Sequence, residues 1–329
     1  MKDIIKHIIT YPANHPLREL AESAFDDNYN LRLPEGVLAL NTLQPLFLVL
    51  QRLKMVCPKA FESFVADKLA AKKGKDEIDI HNLISALCEL SVINAFISAS
   101  EKAQSFKYEP CLIEGSKKNV EFSIVVDGLL YEVEVKSANM INHAEALEEN
   151  LKKEGQVIEP NARMIPFDEW KNIAGETPLM GSLDNKVADF LASAQDKFPS
   201  IENSIHLLVI CWDGRFRKAL TALKSEASGL LTANTYKPDL VYDHISQIIV
   251  TSQYGFIINW LQGGKLNPIQ AQDPLNLRFP YNFLIDYNLD CPQGICERLH
   301  GILGCEELPI VDEKFVDQYC EDVAFTMFL

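Results

Sequence analysis

The sequence lacks the features that would place the protein in a membrane or outside the cytoplasm. Its 8 cysteines among 329 residues are too few for a disulfide-built fold, and half of them stand singly in apolar segments, as reduced core cysteines do. Residues 1–16 lack the uninterrupted apolar core of a signal peptide. The most apolar stretch, residues 36–53, contains Pro45 and Arg52 and is too polar and too short to span a bilayer. We therefore expect a soluble cytoplasmic protein with no membrane partner.

Positive charge and phosphate-binding loops are also scarce. The formal net charge is -15 at pH 7, so the protein repels a polyanion at long range. Contact with nucleic acid then requires a local basic patch or bound cations. Residues 263–267, GGKLN, lack the upstream glycine and the hydroxyl residue of a nucleotide-binding P-loop.

The pattern of apolar residues divides the chain into three regions. We predict an N-terminal helical region at residues 1–80, an α/β core at 81–260 and a loop-rich C-terminal extension at 261–329 that packs on the core. In the core, apolar spacings of three and four from Leu83 predict a helix that reaches about residue 102, with Asp79 as its cap.

Strand signals in the core predict a mixed sheet. Residues 106–115, 119–128 and 129–138 have strand character and predict a three-stranded meander. Strand signals recur at 205–214 and 245–252, separated by a helix, which adds parallel strands. Helices are also predicted at 143–155 and 183–198, and an irregular stretch between them at 157–183. The predicted fold class is α/β, with a mixed β-sheet flanked by helices.

The segment NVEFSIVVDGLLYEVEVKSA, residues 119–138, predicts a hairpin with a definite register. If Asp127-Gly128 is a two-residue turn, Val126 faces Leu129. The same count places Ser123 opposite Glu132 and Glu121 opposite Glu134. A three-residue loop, which the sequence leaves open, would shift the pairing by one residue and separate Glu121 from Glu134.

The two faces of this hairpin differ in character. One face is apolar and suited to packing on a helix, whereas the other bears Glu121, Glu132, Glu134 and Lys136. Carboxylates directly opposite each other, with side-chain bases ~5 Å apart, repel, so we expect a cation between Glu121 and Glu134. Mg²⁺ or Mn²⁺ fits, because such ions are held by one or two carboxylates with water and phosphate oxygens. The alternative is a solvated sheet face rich in Glu and Lys.

The order of these elements resembles the PD-(D/E)XK nuclease superfamily, which has a restriction-endonuclease-like fold. The Glu-x-Lys of that family falls on Glu134 and Lys136, its upstream acid on Glu121 and its helix glutamate on Glu89. Its polar residue on the following helix falls on Lys186 or Gln195. The resemblance covers about residues 83–215. It departs at Glu121, where the family usually has aspartate preceded by proline.

The resemblance implies metal-dependent hydrolysis of phosphodiester bonds. Glu121 and Glu134 would hold Mg²⁺ or Mn²⁺, Lys136 would orient the attacking water, and Glu89 would be a further catalytic carboxylate. The implied partner is nucleic acid, DNA before RNA, and a homodimer is compatible with the sequence. A glutamate moves the metal by about a methylene, and misplacements of order 1 Å cost ~10²-fold in rate. The alternative is therefore a catalytically degenerate module that binds a partner, and a plain α/β interaction protein is a third hypothesis.

Two further groups of residues are candidates for binding. Basic residues near the predicted site offer phosphate contacts, namely Lys117, Lys118, Lys186, Arg215 and Arg217. A zinc site formed by Cys291, Cys296, His300 and Cys305 is disfavoured, because the sequence has no Cys-x-x-Cys pair there.

Overall fold

The computed structural model describes most of the chain: residues 1–73, 77–101, 103–163, 165, 167–200, 204–213, 216–225, 228–262, 273–278, 282–286 and 294–307. The side chains of residues 77, 167, 216, 217, 286, 306 and 307 lie outside this description. Of the predicted features, Arg215, Cys291 and residues 263–267 lie outside the described residues, as does the side chain of Arg217.

The N-terminal region consists of helices, as its apolar spacing predicts. They are α1 (Lys2–Ile9), α2 (Pro16–Ala24), α3 (Val37–Val56), α4 (Pro58–Ser63) and a π-helical turn (Phe64–Lys68) that continues α4. Apolar residues from each helix, such as Ile8, Leu17, Leu50 and Phe61, are buried in a common core with the rest of the protein. A short two-stranded sheet follows, formed by β1 (Lys72–Lys73) and β2 (Glu77–Ile78).

The π-helical turn is held by two side chains from the connection between α1 and α2. Its wider spacing is marked by the hydrogen bond from the Leu69 amide to the Phe64 carbonyl, five residues back. The Tyr11 hydroxyl donates to the Val65 carbonyl at 2.7 Å, and His15 Nε2 lies 2.9 Å from the Leu69 carbonyl. His15 Nδ1 accepts from the Leu17 amide, so Nε2 carries the proton and donates. These bonds fix the backbone on both sides of Lys68.

The core helix α5 (Ile80–Ala99) begins where the sequence predicts. The Asp79 carboxylate accepts a hydrogen bond from the Asn82 amide at 3.0 Å, which is the predicted cap. By length and composition α5 could cross a membrane. However, 67% of its apolar 18-residue segment is buried within the protein, as in a core helix. Among its buried residues, Glu89 is the one carboxylate.

The central sheet has the mixed character that the sequence predicts. Its strand order is β3-β4-β5-β6-β7-β8-β9. Strands β3 to β5 are antiparallel, β5 to β7 are parallel, β8 is antiparallel to β7, and β9 is parallel to β8. The strands are β3 (Lys107–Tyr108), β4 (Phe122–Val126), β5 (Leu129–Ser137), β6 (Ser204–Cys211), β7 (Gln247–Thr251), β8 (Asn282–Asp286) and β9 (Glu306–Glu307). The chain is therefore an α/β protein, although β3 is much shorter than the predicted 106–115.

Helices flank this sheet between and beyond the later strands. They are α6 (Met140–Glu154), α7 (Phe167–Ala174), α8 (Leu183–Gln195), α9 (Phe216–Lys224), α10 (Gln253–Leu261) and α11 (Ile295–Leu303). Helix α7 lies in the stretch predicted to be irregular, and α10 follows β7 without being predicted. Strands β8 and β9 come from the predicted C-terminal extension, so the described part of that region joins the sheet itself.

The predicted hairpin register is confirmed over the paired strands. Val126 pairs with Leu129 and Ser123 with Glu132. Asp127 and Gly128 both have positive φ, 48° and 79°, as the tight two-residue turn requires. The apolar face packs on α5 as predicted: the Phe96 ring lies 5.5 Å from Phe122 and 5.3 Å from Tyr131, measured between centroids.

The hairpin count predicts that Glu121 pairs with Glu134, but the backbone does not form this pair. The last register pair is Phe122 with Val133, and the Glu121 amide donates to the carbonyl of that same Val133 at 3.0 Å. Glu121, directly before β4, and Phe122 thus both face Val133, which is the pattern of a β-bulge. A bulge re-aims a side chain, and here Glu121 lies 3.6 Å from Lys68. Counting residue pairs along an ideal β-ladder could not predict this bulge at Glu121.

The alternative of a solvated hairpin face is wrong for the two central residues. Glu132 and Glu134 are both buried, and Glu134 is 0% exposed. Glu132 lies 2.8 Å from His206 Nε2 and accepts from the Ser204 hydroxyl at 2.9 Å. The polar face is therefore an internal network of charged groups.

We predict that His15 makes the stability of the fold depend on pH. Burial lowers the pKa of His15 to about 4 from its usual 6.5. Below pH 6.5 the unfolded chain takes up a proton that the folded protein does not, so stability falls as the pH decreases from 6.5 towards 4. The loss approaches roughly 3 kcal/mol at the lower end of this window.

Urea unfolding at pH 7.5 and pH 5 tests this with His15→Asn, which keeps a capping acceptor for α2 but cannot titrate. His7→Asn, at an exposed histidine of α1, is the matched control. The pH dependence should be smaller in His15→Asn than in wild type and unchanged in His7→Asn. An equal slope in all three proteins would contradict the prediction.

Candidate active site

A cavity of about 440 Å³ lies between the π-helical turn, α5 and the end of β5. Three of the four residues predicted to be catalytic, Glu89, Glu121 and Lys136, line it together with Lys68. They come from separate elements, which the fold alone brings together. The other lining residues are Asp67, Ala71, Lys72, Asn82, Ser85, Ala86, Val135 and Ser137.

Lys68 forms the centre of one half of this site. Its Nζ lies 2.8 Å from each carboxylate oxygen of Glu89, 3.4 Å from Glu109 and 3.6 Å from Glu121. The rings of Phe64 and Tyr108 cover the ammonium group, with centroids 5.3 and 5.1 Å away. Three carboxylates therefore share one ammonium group, a set named below the Lys68 cluster.

The pKa values show that this cluster is short of positive charge. Burial, and then the charge of Glu121, raise the pKa of Glu89 to about 8 in spite of Lys68. Burial alone would lower the pKa of Lys68, but the charges of Glu89 and Glu121 outweigh it and raise this pKa. Lys68 is therefore a firmly charged ammonium group, and the carboxylates around it favour a further cation.

Glu134 forms the centre of the second half, named below the Glu134 cluster. Its Oε1 lies 2.6 Å from Lys136 Nζ and 2.5 Å from Lys197 Nζ. Its Oε2 is buried and has no hydrogen-bond partner among the described residues. Burial raises the pKa of Glu134, Lys136 opposes this, and the charge of Glu121 raises the pKa further. The charge of Glu121 thus raises the pKa of one carboxyl group in each cluster, Glu89 and Glu134.

The backbone is strained on both sides of the Lys68 cluster. Ala71, which lines the cavity, has φ of 43°, and Glu109, which pairs with Lys68, has φ of 48°. Non-glycine residues in this left-handed region cost of order 1–3 kcal/mol, and such residues concentrate at functional sites. The π-helical turn at Lys68 also indicates a functional site, since such turns are frequent at functional sites.

The acidic residues fit a hard divalent cation. No group of three His, Cys, Asp or Glu side chains within the described ranges is placed to hold a metal ion. Mg²⁺ requires fewer protein ligands, because one or two carboxylates suffice when water and phosphate oxygens complete its shell. Glu121 supplies one carboxylate, and Glu134 Oε2 is a buried oxygen without a hydrogen-bond partner among the described residues.

The other predicted residues lie away from the cavity. Lys117 is exposed, and Lys118 pairs with Asp196 at 2.7 Å. Lys186 is exposed and lies over the Phe190 ring. At the disfavoured zinc site, His300 Nδ1 lies 2.8 Å from the Cys305 carbonyl, and Cys296 and Cys305 are thiols that do not form a disulfide.

Two lysines of the site were not predicted. Lys197 bonds Glu134, whereas Lys186 and Gln195, the two residues expected for the following helix, do not: Lys186 is exposed, and the Gln195 side chain bonds Asp243 and the His244 amide. The one sequence signal of Lys197 is its position just before β6, the parallel neighbour of β5. Lys68 lies in a helical region far from the motif, and nothing in the local sequence distinguishes it from a surface lysine.

Comparisons with known proteins give no family assignment. No family model, curated protein or solved structure matches the chain. Functional inference therefore relies on the geometry of the cavity and on the order of its motifs.

We predict that the Lys197 bond stabilises the fold more than a surface ion pair does. Lys197→Met leaves the buried Glu134 with one counter-ion, which should lower the free energy of unfolding by about 2 kcal/mol or more. Lys118→Met removes the exposed pair with Asp196 and should cost less than about 1 kcal/mol.

Urea unfolding measures both losses, and a double mutant identifies their source. In a Glu134→Gln background the cost of Lys197→Met should shrink, because no buried charge is then left unpaired. Equal small losses for the two lysine variants would show that the Lys197 bond contributes no more than the surface pair.

Proposed function

We propose that the protein is a metal-dependent nuclease that hydrolyses phosphodiester bonds in DNA, with RNA as a second substrate class, on a restriction-endonuclease-like core. One observation carries this proposal: Glu89, Glu121 and Lys136 line one cavity, with Glu134 bonded to Lys136. These are the positions at which the resemblance places its helix glutamate, its upstream acid and its Glu-x-Lys pair.

The opposite charges of the two clusters support this function. In the Lys68 cluster three carboxylates share one ammonium group, which attracts a cation. In the Glu134 cluster two ammonium groups share one carboxylate, which attracts an anion such as phosphate. A phosphodiester supplies the anion and its counter-ion supplies the cation that these two clusters attract, so the cavity can bind both.

The charge of the cavity also allows a polyanion to approach. The whole chain has a formal net charge of -15, which opposes nucleic acid binding in general. Among the lining residues, however, positive and negative side chains are equal in number. They are the three lysines Lys68, Lys72 and Lys136 and the three acids Asp67, Glu89 and Glu121. A divalent cation would make the cavity positive relative to the rest of the surface.

Each residue then has a defined task. Lys136 is 22% exposed, lines the cavity and is oriented by Glu134, so its ammonium group can position a phosphate oxygen or the attacking water. Lys197 holds Glu134 from its other side. Glu121 and Glu134 would hold the cation, and in the metal-free cavity Glu89 pairs with Lys68. A bound Mg²⁺ or Mn²⁺ supplies Lewis acidity and lowers the pKa of its bound water.

A catalytically degenerate binding module is the second candidate. The observation that favours it is that lysines already pair with the predicted acids: Lys68 with Glu89, and Lys136 and Lys197 with Glu134. Such a site can be stable without a metal, and then it would bind a phosphate-bearing partner without cutting it.

Cleavage assays with Mn²⁺ on single-stranded DNA, double-stranded DNA and RNA test the proposal. We expect cleavage of DNA by wild type and losses of at least ~10²-fold in both Lys136→Met and Glu121→Gln, because each removes a group that acts on the reacting phosphate or its cation. Lys152→Met, at an exposed lysine of α6 that pairs with Glu148, is the matched control and should retain the wild-type rate.

Cleavage that is unchanged in both active-site variants would come from a contaminant and would reject the nuclease proposal. Absence of cleavage in wild type, with DNA binding that is weakened by Lys136→Met, would favour the degenerate module.

A further inference from the structure

We propose that Lys68 is a built-in counter-ion of the cavity: its ammonium group occupies the place of a divalent cation and leaves that place when the cation binds. This inference rests on the proposed metal-dependent function and adds a means of regulating it. Lys68 is not among the residues implied by the resemblance, and it comes from the N-terminal helical region.

The contacts of Lys68 are those of a bound cation. Both oxygens of Glu89 lie 2.8 Å from its Nζ, and Glu121 and Glu109 complete an acidic shell at 3.6 and 3.4 Å. Glu121 is also the carboxylate proposed to hold the metal. The ammonium group and the metal therefore draw on the same acidic groups.

Simultaneous occupancy is unfavourable. A metal bound to Glu121 would lie within a few ångströms of the Lys68 ammonium group, and like charges at ~4 Å repel strongly in a partly buried site. Because one group must give way, each lowers the affinity of the cluster for the other. Lys68 keeps the empty cavity stable and sets the cation concentration at which it loads.

Lys68 can leave without unfolding the site. Its side chain is 23% exposed and has a flexible four-carbon stem, so the ammonium group can rotate towards solvent. The backbone beneath it is fixed by Tyr11 and His15, through bonds to the carbonyls of Val65 and Leu69. The exchange is thus a side-chain movement on a rigid turn.

Calorimetric titration of Mn²⁺ into metal-free protein tests the competition. Lys68→Gln should bind Mn²⁺ at least about tenfold more tightly than wild type, because the competing charge is gone. Lys72→Gln is the control: it removes one positive charge from the same cavity, at a residue that lines the wall and forms no ion pair within the described part of the chain. Its affinity should change by less than about threefold.

The outcomes separate this inference from the proposed function. Equal affinities in wild type and Lys68→Gln, both lost in Glu121→Gln, would overturn the role of Lys68 and leave the metal site in place. Absence of Mn²⁺ binding in every protein would overturn the metal-dependent function as well. Tighter binding in Lys68→Gln, lost when Glu121→Gln is added, supports both.

Chemical labelling of wild type provides a second test that does not depend on the folding of a variant. Acetic anhydride treatment followed by mass spectrometry should show several-fold faster acetylation of Lys68 when Mn²⁺ is present, with Lys72 unchanged as the internal reference. Equal labelling of Lys68 with and without Mn²⁺ would overturn the displacement.

Discussion

The ion pair between Lys68 and Glu89 is the interaction on which the site depends. It joins the π-helical turn, at the end of the N-terminal helices, to the core helix α5. A buried carboxylate in an apolar helix is costly, and removing one partner of a buried pair typically costs about 3–5 kcal/mol. The N-terminal region and the core are therefore tied together at the one charged residue that α5 buries. This connection explains why Tyr11 and His15, remote in sequence, bond the backbone next to Lys68.

The site contains two clusters with an opposite excess of charge, and this pair belongs to one of them. Lys68 is outnumbered by Glu89, Glu109 and Glu121, whereas Glu134 is outnumbered by Lys136 and Lys197. If the lysines were distributed evenly, the site would be neutral throughout and would attract neither a cation nor a phosphate. Glu121, whose amide bonds the Val133 carbonyl at the end of the hairpin, belongs to the Lys68 cluster, with an oxygen 3.6 Å from Lys68 Nζ.

Features encoded by neighbouring residues were predictable from the sequence. Asp127-Gly128 determines a turn with two positive φ angles and hence the register from Val126 to Phe122. Asp79 determines where α5 begins. Alternation along the hairpin and the order of strands and helices predicted the mixed sheet and the apolar face that packs on α5. These signals are local, and tertiary contacts have little freedom to change them.

Features that depend on distant residues were not predictable. The bulge at Glu121 comes from how the strand end meets Val133, which an ideal ladder does not represent. Strand β8 joins the sheet through pairing with β7, and no local pattern marks that partner. Lys68 has an ordinary sequence context, and only the fold gives it three carboxylates.

The position of the lysines, rather than that of the acids, decides between catalysis and binding. The charge of Glu121 raises the pKa of Glu89 and that of Glu134, and a divalent cation and ammonium groups can both relieve that repulsion. Lys136 and Lys197 both bond Oε1 of Glu134. Its Oε2 has no hydrogen-bond partner among the described residues, so this carboxylate can accept a further bond. Lys68, by contrast, uses both oxygens of Glu89. On the proposed function, a cation at Glu121 and Glu134 would therefore leave the bonds of Lys136 intact, and the cost of loading the site would be concentrated in moving Lys68.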